Sequence, residues 1–329
     1  MISQGMERIN QKWQRSSNLK DILKEIQEAE TGGIKRQELI KRIQEYSRKK
    51  EGKERKLILY IANVEHPKSA MNSGDIIPLA DMLSRIGEAQ NLDLMLHSFG
   101  GDGNIAEKII QMFREHCSEK GEFRVIIPNM AKSAATLVTF GANKIIMGYC
   151  SELGPIDPQI RVNIHGATHY VSAQSFIDAR EQLVKKTESA IKNDKPSQPY
   201  LQQLATLDPA FVNHCERMMN FAKDMSKWLA RYMLADKQKD AKKLAKVTTE
   251  ALCMANRFFS HGRMITAHEI EENPDIHLKI DYLEKDSEYW GLLWELYVRC
   301  EVFLRAPDPR TKKVRVKLFH DEEGSIILT

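Results

Sequence analysis

The chain has 329 residues, 42% of them hydrophobic and 29% charged, with 49 basic and 45 acidic side chains and a formal net charge of +4. That length and apolar content supply the core of one large α/β domain with helical additions and exclude a chain that is disordered over most of its length. The charge is spread through mixed-sign stretches such as RKKEGKERK, residues 48–56, which argues against a nucleic-acid partner. The five cysteines, Cys117, Cys150, Cys215, Cys253 and Cys300, form neither CxxC pairs nor a closely spaced framework, so a reducing cytoplasm is the expected compartment. No run approaches the ~18 uninterrupted apolar residues of a membrane span. The opening MISQGMERINQKWQR lacks the apolar core of a secretory leader, and the expectation is a soluble, unsecreted protein.

In chain order, Ile22, Leu23 and Ile26 share one helical face and Leu39, Ile40, Ile43 and Tyr46 another, with a break at Gly32-Gly33. This predicts two amphipathic helices, an arm over residues 1–55 whose apolar stripes are too short to span a membrane and suit contact with a partner protein. After a charged linker the pattern changes to short β-rich runs: LILYIA (57–62), LDLMLH (92–97), FRVIIP (123–128) and KIIMGY (144–149). Between them GNIAEKIIQMFREHC (103–117) sets Ile105, Ile109, Met112 and Phe113 at helical spacing, with Gly121 placed to close that helix. Strand, helix, strand in this order predicts parallel strands joined by right-handed crossovers, hence a covered, mostly parallel sheet.

Further on, RVNIHGATHYV (161–171) reads as a hairpin, and 173–195 and 209–254 as largely helical, separated by NDKPSQP, which suits a mobile loop. A last helix carries Tyr289, Trp290, Leu293 and Tyr297, and its face around Trp290 and Leu293 is a predicted contact between subunits of a homo-oligomer. In KVRVKLFHDEEGSIILT, Val314, Val316 and Leu318 alternate with charges around a DEEG turn, which predicts a closing hairpin. The resulting division is a helical arm (1–55), a central domain (56–280) and a helix-and-hairpin extension (281–329).

One stretch raises a chemical question. In PNMAKSAATLVTFGAN (128–143), Ser133 stands between a buried strand and a short helix, where a serine serves either as an N-cap or as a nucleophile raised above the sheet edge. LMLHSFGGDG (94–103) is a second strand end, running into two glycines and a helix, so the N–H of Gly100 or Gly101 can approach a ligand without a side chain intervening. Candidate bases are several. His261 lies in SHGR. His165 and His169 lie on the hairpin, where cross-strand packing is the alternative role, and His97 precedes the glycines, where close packing competes. Asp157, between Pro155 and Pro158, is either a carboxylate partner for a histidine or a turn residue. Lys185 and Lys186 offer a lysine base, although REQLVKKTESAIKND reads as a solvated helix face and a catalytic lysine must be desolvated. Lys132 is expected to point away from the serine. No zinc-type Cys/His spacing and no GxxxxGKS phosphate loop is present in the sequence, so no metal or cofactor is expected.

HSFGGDG together with MAKSAATL resembles the paired motifs of the Clp proteolytic subunit and signal peptide peptidase A superfamily, which shares its core with crotonases. SELGPIDPQI is similar to one branch, the serine dehydrogenase proteinases, and the resemblance covers roughly residues 56–280. It implies a Clp/crotonase-like α/β fold, a repeated ββα superhelix with a mostly parallel sheet, and an oligomeric serine peptidase acting on peptides or unfolded protein segments. It implies Ser133 as nucleophile, the N–H groups of Gly101 and Ala134 as oxyanion hole, and an exchanged triad in which Asp157 and His261 complete the set. Asn256 falls near the position of the Clp aspartate. Phe99 stands where relatives often have proline and Ala135 where many have glycine; neither change removes an N–H donor. The alternatives are a Ser-Lys dyad through Lys185 or Lys186, a crotonase-like acyl-CoA enzyme, and a catalytically silent oligomeric scaffold that docks through the arm.

Overall fold

The apolar runs of the sequence become the middle of a seven-stranded sheet in the computed structural model, which describes residues 19–27, 31–164, 166–253, 260–308 and 311–329. The strands are β1 (Lys56–Ala62), β2 (Ala89–His97), β3 (Cys117–Ile127), β4 (Met130–Ala131), β5 (Lys144–Gly148), β6 (Glu152–Leu153), β7 (Gln159–Ile164), β8 (Ala167–Ser172), β9 (Ile280–Leu283), β10 (Lys317–His320) and β11 (Ser325–Leu328). The sheet runs β11-β10-β1-β2-β3-β5-β9, parallel from β1 to β9 and antiparallel only where β10 and β11 join it. The expected α/β class with a mostly parallel sheet is what the chain forms. β4 and β6 make a small parallel pair beyond the ends of β3 and β5, and β7 with β8 forms the expected hairpin.

Strand periodicity divides the core into two layers. On β1, Ile58, Tyr60 and Ala62 face one cluster while Leu57, Leu59 and Ile61 face the other; on β3, Val125 and Ile127 oppose Ile126 in the same way. The first layer holds α3 (Ile76–Ile86), α4 (Gly103–His116) and α5 (Ala134–Thr139) against the sheet. Outside them lie α6 (Ala173–Lys192), α7 (Gln198–Ala205), α8 (Pro209–Asp224), α9 (Ser226–Arg231), α10 (Ala241–Cys253) and α11 (Ala267–Glu272).

The second layer corrects two expectations. The helices of the proposed arm, α1 (Leu19–Gln27) and α2 (Thr31–Lys50), turn their apolar residues inward: Ile22, Leu39, Ile40 and Ile43 are buried within the chain. Their partner is α12 (Glu288–Arg305), whose Trp290 and Leu293 are buried as well and do not form an exposed face. A parallel sheet is apolar on both sides, and α2 and α12 are the cover for the side that the crossover helices leave open. Tyr46 of α2 stacks on Tyr289 of α12 at 4.9 Å. Beside them, Arg124 grips Asp93 through Nε at 2.8 Å and a terminal nitrogen at 2.6 Å, and reaches Glu51 and the Tyr289 hydroxyl at 3.0 Å.

Three further details differ from the sequence reading. α4 ends at His116, and Gly121 lies inside β3, where a Cβ would stand 1.8 Å from the Gln90 carbonyl oxygen on β2. Gly121 therefore serves strand approach and not helix closure. Part of NDKPSQP starts α7, with Pro199 in its first turn. The closing hairpin is the antiparallel edge of the main sheet, which buries Lys317, a residue the alternation had assigned to solvent.

Candidate active site

The loops leaving β2 and β3 run side by side. Ser98 N–H donates to the Met130 carbonyl at 3.1 Å and Lys132 N–H returns to the Ser98 carbonyl at 3.0 Å. Contact this close needs glycine at position 100, because a Cβ there would lie 2.5 Å from the Lys132 carbonyl oxygen and 2.8 Å from the Ser133 Cβ. Gly100 and Gly101 adopt φ of 103° and 150°, backbone that side chains rarely take. The Gly100 N–H is used locally, by the Ser98 hydroxyl at 3.1 Å. Among the described residues the N–H groups of Gly101 and Ala134 have no acceptor, so Gly101, not Gly100, is the glycine with a donor to spare.

Ser133 has φ 53° and ψ −121°, a strained conformation for a residue with a side chain, and its hydroxyl makes no capping bond. The cap role is thus unfilled. α5 instead starts with the Ala135 N–H on the Lys132 carbonyl at 2.9 Å, which also shows that the alanine at 135 leaves the neighbouring N–H groups in place.

Asp157 is buried, and its Oδ1 lies 2.7 Å from Nδ1 of His261, 104 residues away in sequence. Its other oxygen accepts from Gln159 Nε2 at 2.6 Å. With Nδ1 facing a carboxylate, Nε2 is the nitrogen that can take a proton. Both partners are held by backbone. The Thr136 hydroxyl donates to the Ala131 carbonyl at 2.8 Å and accepts the Gly154 N–H at 3.2 Å, the Ile156 N–H meets the Leu252 carbonyl at 3.0 Å, and Leu153 pairs with Ile265. Lys132 points away from the serine, as expected, and its ammonium holds the Gly262 carbonyl at 2.7 Å and Glu152 at 2.9 Å, bracing the turn that carries His261.

Ser133, Gly101, Ala134, Asp157 and His261 all line one open cavity of about 1610 Å³, walled by Phe99, Leu137, Tyr170, Met218 and Phe221. No hydrogen bond joins the Ser133 hydroxyl to His261; such bonds often tighten only when substrate is bound. The lysine candidates lie elsewhere. Lys185 is 76% exposed on α6, 4.0 Å from Glu181, and Lys186 beside it is exposed too; neither lines the cavity. His169 is exposed on β8, opposite Val162. His165 and Asn256 lie outside the described residues. His97 is buried edge-on to Tyr297, and burial, then the Arg305 charge, pushes its pKa down to about 3. It packs behind the site. Gln159 and Thr136 were not singled out from the sequence; a glutamine two residues after a turn aspartate is a weak signal, and the threonine gives none. Among the described residues there is no group of three or more potential metal-binding side chains, and no helix long and apolar enough to cross a membrane.

Residues 69–191 match the family described as ClpP-like SDH-type serine proteinase. The matched segment contains Ser133, Gly101, Ala134 and Asp157, whereas His261 comes from beyond it. The uncharacterized protein MJ0137 of Methanocaldococcus jannaschii is 30% identical over 208 residues, covering 63% of this chain and 58% of its own. Another uncharacterized protein of that organism, MJ1495, is 38% identical over 73 residues, 22% of this chain and 24% of its own. The chain therefore spans less than two thirds of the length of these relatives. Two solved structures of the 1510-N membrane-bound stomatin-specific protease align at 13% identity. One is a serine-to-alanine mutant covering 65% of this chain and 92% of its own at a TM-score of 0.28. The other, a lysine-to-alanine mutant in complex with a substrate peptide, covers 69% and 93% at 0.31.

Proposed function

We propose that the chain is a serine peptidase that cleaves peptides or unfolded protein segments through an acyl-enzyme on Ser133. The observation that carries this reading is Ser133 itself: a strained hydroxyl that caps nothing, beside two spare N–H donors and a buried Asp157–His261 pair, all on one cavity. In the reaction, Ser133 Oγ attacks the scissile carbonyl carbon and its proton passes to His261 Nε2. The carbonyl oxygen, now an oxyanion, is received by the N–H groups of Gly101 and Ala134. Collapse breaks the C–N bond and expels the amine, which takes the proton from His261; water then gives a proton to His261 as its oxygen bonds to the acyl carbon, and the second collapse breaks the ester bond, releases the acid and returns that proton from His261 to Ser133 Oγ. Asp157 holds the imidazole tautomer and offsets its positive charge, and Gln159 holds Asp157.

A lysine base is disfavoured because the Lys185 ammonium stands in water, without the burial that such a base requires. Reaction with a fluorophosphonate probe, mapped by mass spectrometry, tests the proposal: Ser133 is the expected site, and a probe that leaves it unmodified favours a silent scaffold or a crotonase-like acyl-CoA enzyme. A homo-oligomer remains part of this reading, with its contacts elsewhere than Trp290 and Leu293; light scattering that finds a monomer throughout the micromolar range counts against it.

A further inference from the structure

Lys317 on β10 is almost fully buried, and its ammonium lies 2.5 Å from Asp75 Oδ1 and 2.8 Å from the Ala70 carbonyl oxygen. Asp75 is fully buried, and its other oxygen accepts the Tyr60 hydroxyl at 2.7 Å and the Asn72 N–H at 2.8 Å. These bonds clamp residues 70–72 from both ends. Between the clamped residues, Met71 donates its N–H to the Gly100 carbonyl at 2.8 Å and accepts the Asp102 N–H at 3.0 Å. Gly101 lies so near that a Cβ on it would stand 2.4 Å from the Met71 carbonyl oxygen and 2.5 Å from the Met71 nitrogen. The plane of the Gly101 peptide is thus set from one side by Met71.

A buried ion pair is weak evidence for stability, because desolvation offsets most of the attraction. Neither Lys317 nor Asp75 lines the cavity, and packed apolar side chains of similar volume often serve stability as well as a buried ion pair does. What those side chains could not supply is a fixed point for the Ala70 carbonyl and the Asn72 N–H. We propose that Lys317 and Asp75 are positioning residues for the oxyanion hole, holding residues 70–72 so that the Gly101 N–H is aimed at the substrate carbonyl. The inference rests on the peptidase reading above, and it assigns part of the site to the C-terminal hairpin, beyond the matched segment 69–191.

The test uses the full chain carrying Lys317→Met with Asp75→Asn, which removes both charges together and leaves no lone buried ion. Peptide hydrolysis per titrated Ser133 is expected to lose about 10- to 100-fold in kcat with KM little changed, since only the charge that develops in the transition state is affected. Affinity for a peptidyl boronate, a mimic of the tetrahedral adduct, is expected to fall by the same factor. A role confined to stability lowers the melting point and leaves kcat per titrated site and boronate affinity as they were, which overturns the proposal. Lys317→Arg, which keeps a cation on Asp75, is expected to recover part of the loss, and it carries the same measurements if the double variant does not fold. Amide hydrogen exchange separates the two levels of argument. Faster exchange across residues 98–103 in the variant is expected whether or not the wild type is a peptidase, and unchanged exchange there overturns the clamp. A wild type that neither hydrolyses peptides nor reacts at Ser133 overturns the peptidase reading instead.

Discussion

At the C-terminal edge of the parallel strands, Ser133, Gly100 and Gly101 all have positive φ and two backbone N–H groups have no acceptor among the described residues; on the far side of the same sheet, α2 and α12 are regular helices and Arg124 uses every nitrogen of its guanidinium. The first region holds groups back for a substrate and tolerates strain to do so. The second satisfies its own groups and closes the core. Substitutions in the two regions should therefore separate cleanly, with chemistry lost on one side and stability on the other.

The largest effect is expected at the site. Ser133→Ala should abolish peptide hydrolysis, and His261→Ala and Asp157→Asn should each reduce kcat by a factor on the order of 10³ or more, with the double variant little worse than either alone, because triad members act as a unit. The urea midpoint of Ser133→Ala should stay near wild type, while Lys185→Ala and Lys186→Ala should keep full turnover. Losses at 261 and 157 that multiply in the double variant would mean that the two side chains do not work through one another, despite their 2.7 Å contact.

The opposite result is expected behind the sheet. Arg124→Met leaves Asp93 and Glu51 with only Arg55 of the two guanidiniums they share, so the loss is expected to be real but smaller than the ~3–5 kcal/mol of leaving a buried charge unpaired. Urea unfolding should register that loss, and kcat per titrated serine should not change. A drop in kcat of comparable size would join the two regions into one and dissolve the contrast.

The same contrast explains what was legible in the sequence. Ser133 and the Gly100-Gly101 pair stood out because unusual backbone demands particular residue types at strand ends. The alternation of apolar runs gave away the parallel sheet. The partnership of Asp157 with His261, across 104 residues, came only through a family resemblance, since no local pattern encodes so distant a contact. Residues whose roles are purely tertiary were silent: Gln159, Thr136, Met71. Charges in strands were misleading, because alternation in KVRVKLF suggests one wet face, yet Arg315 and Lys317 are both buried, Arg315 paired with Asp308 and Lys317 with Asp75 from a distant part of the chain. The apolar stripes of α2 and α12 were visible as stripes. Which surface would cover them depended on the second face of a sheet that helix periodicity cannot see.

Acid should act mainly on the scaffold. Burial, then the Arg305 charge, lowers His97 to about 3, and burial, then Arg36, lowers His320 to about 4. Both bind protons more readily in the unfolded chain, where histidine titrates near ~6.5, so the stability they allow is complete above that pH and is lost as pH falls toward the folded values. Between neutral pH and pH 5 each should withdraw about 2 kcal/mol. Urea unfolding at the two pH values measures the sum, and His97→Phe should remove one share of it. An unchanged pH dependence in that variant would clear His97 of the effect.

The smallest effect returns to Ser133. Its φ of 53° with ψ −121° is open to glycine, whereas alanine keeps the Cβ and with it the strain. Such a conformation holds on the order of 1–3 kcal/mol, and glycine gives part of that back through its freer unfolded chain. Ser133→Gly should therefore be more stable than Ser133→Ala by about 1 kcal/mol, although both are inactive. Comparing the two by urea unfolding isolates backbone from hydroxyl, because neither variant has the side-chain oxygen. Equal stability would place the strain outside Ser133, in the contact of Gly100 with the Lys132 carbonyl, and the serine would then be carried by its neighbours instead of being itself the strained point of the site.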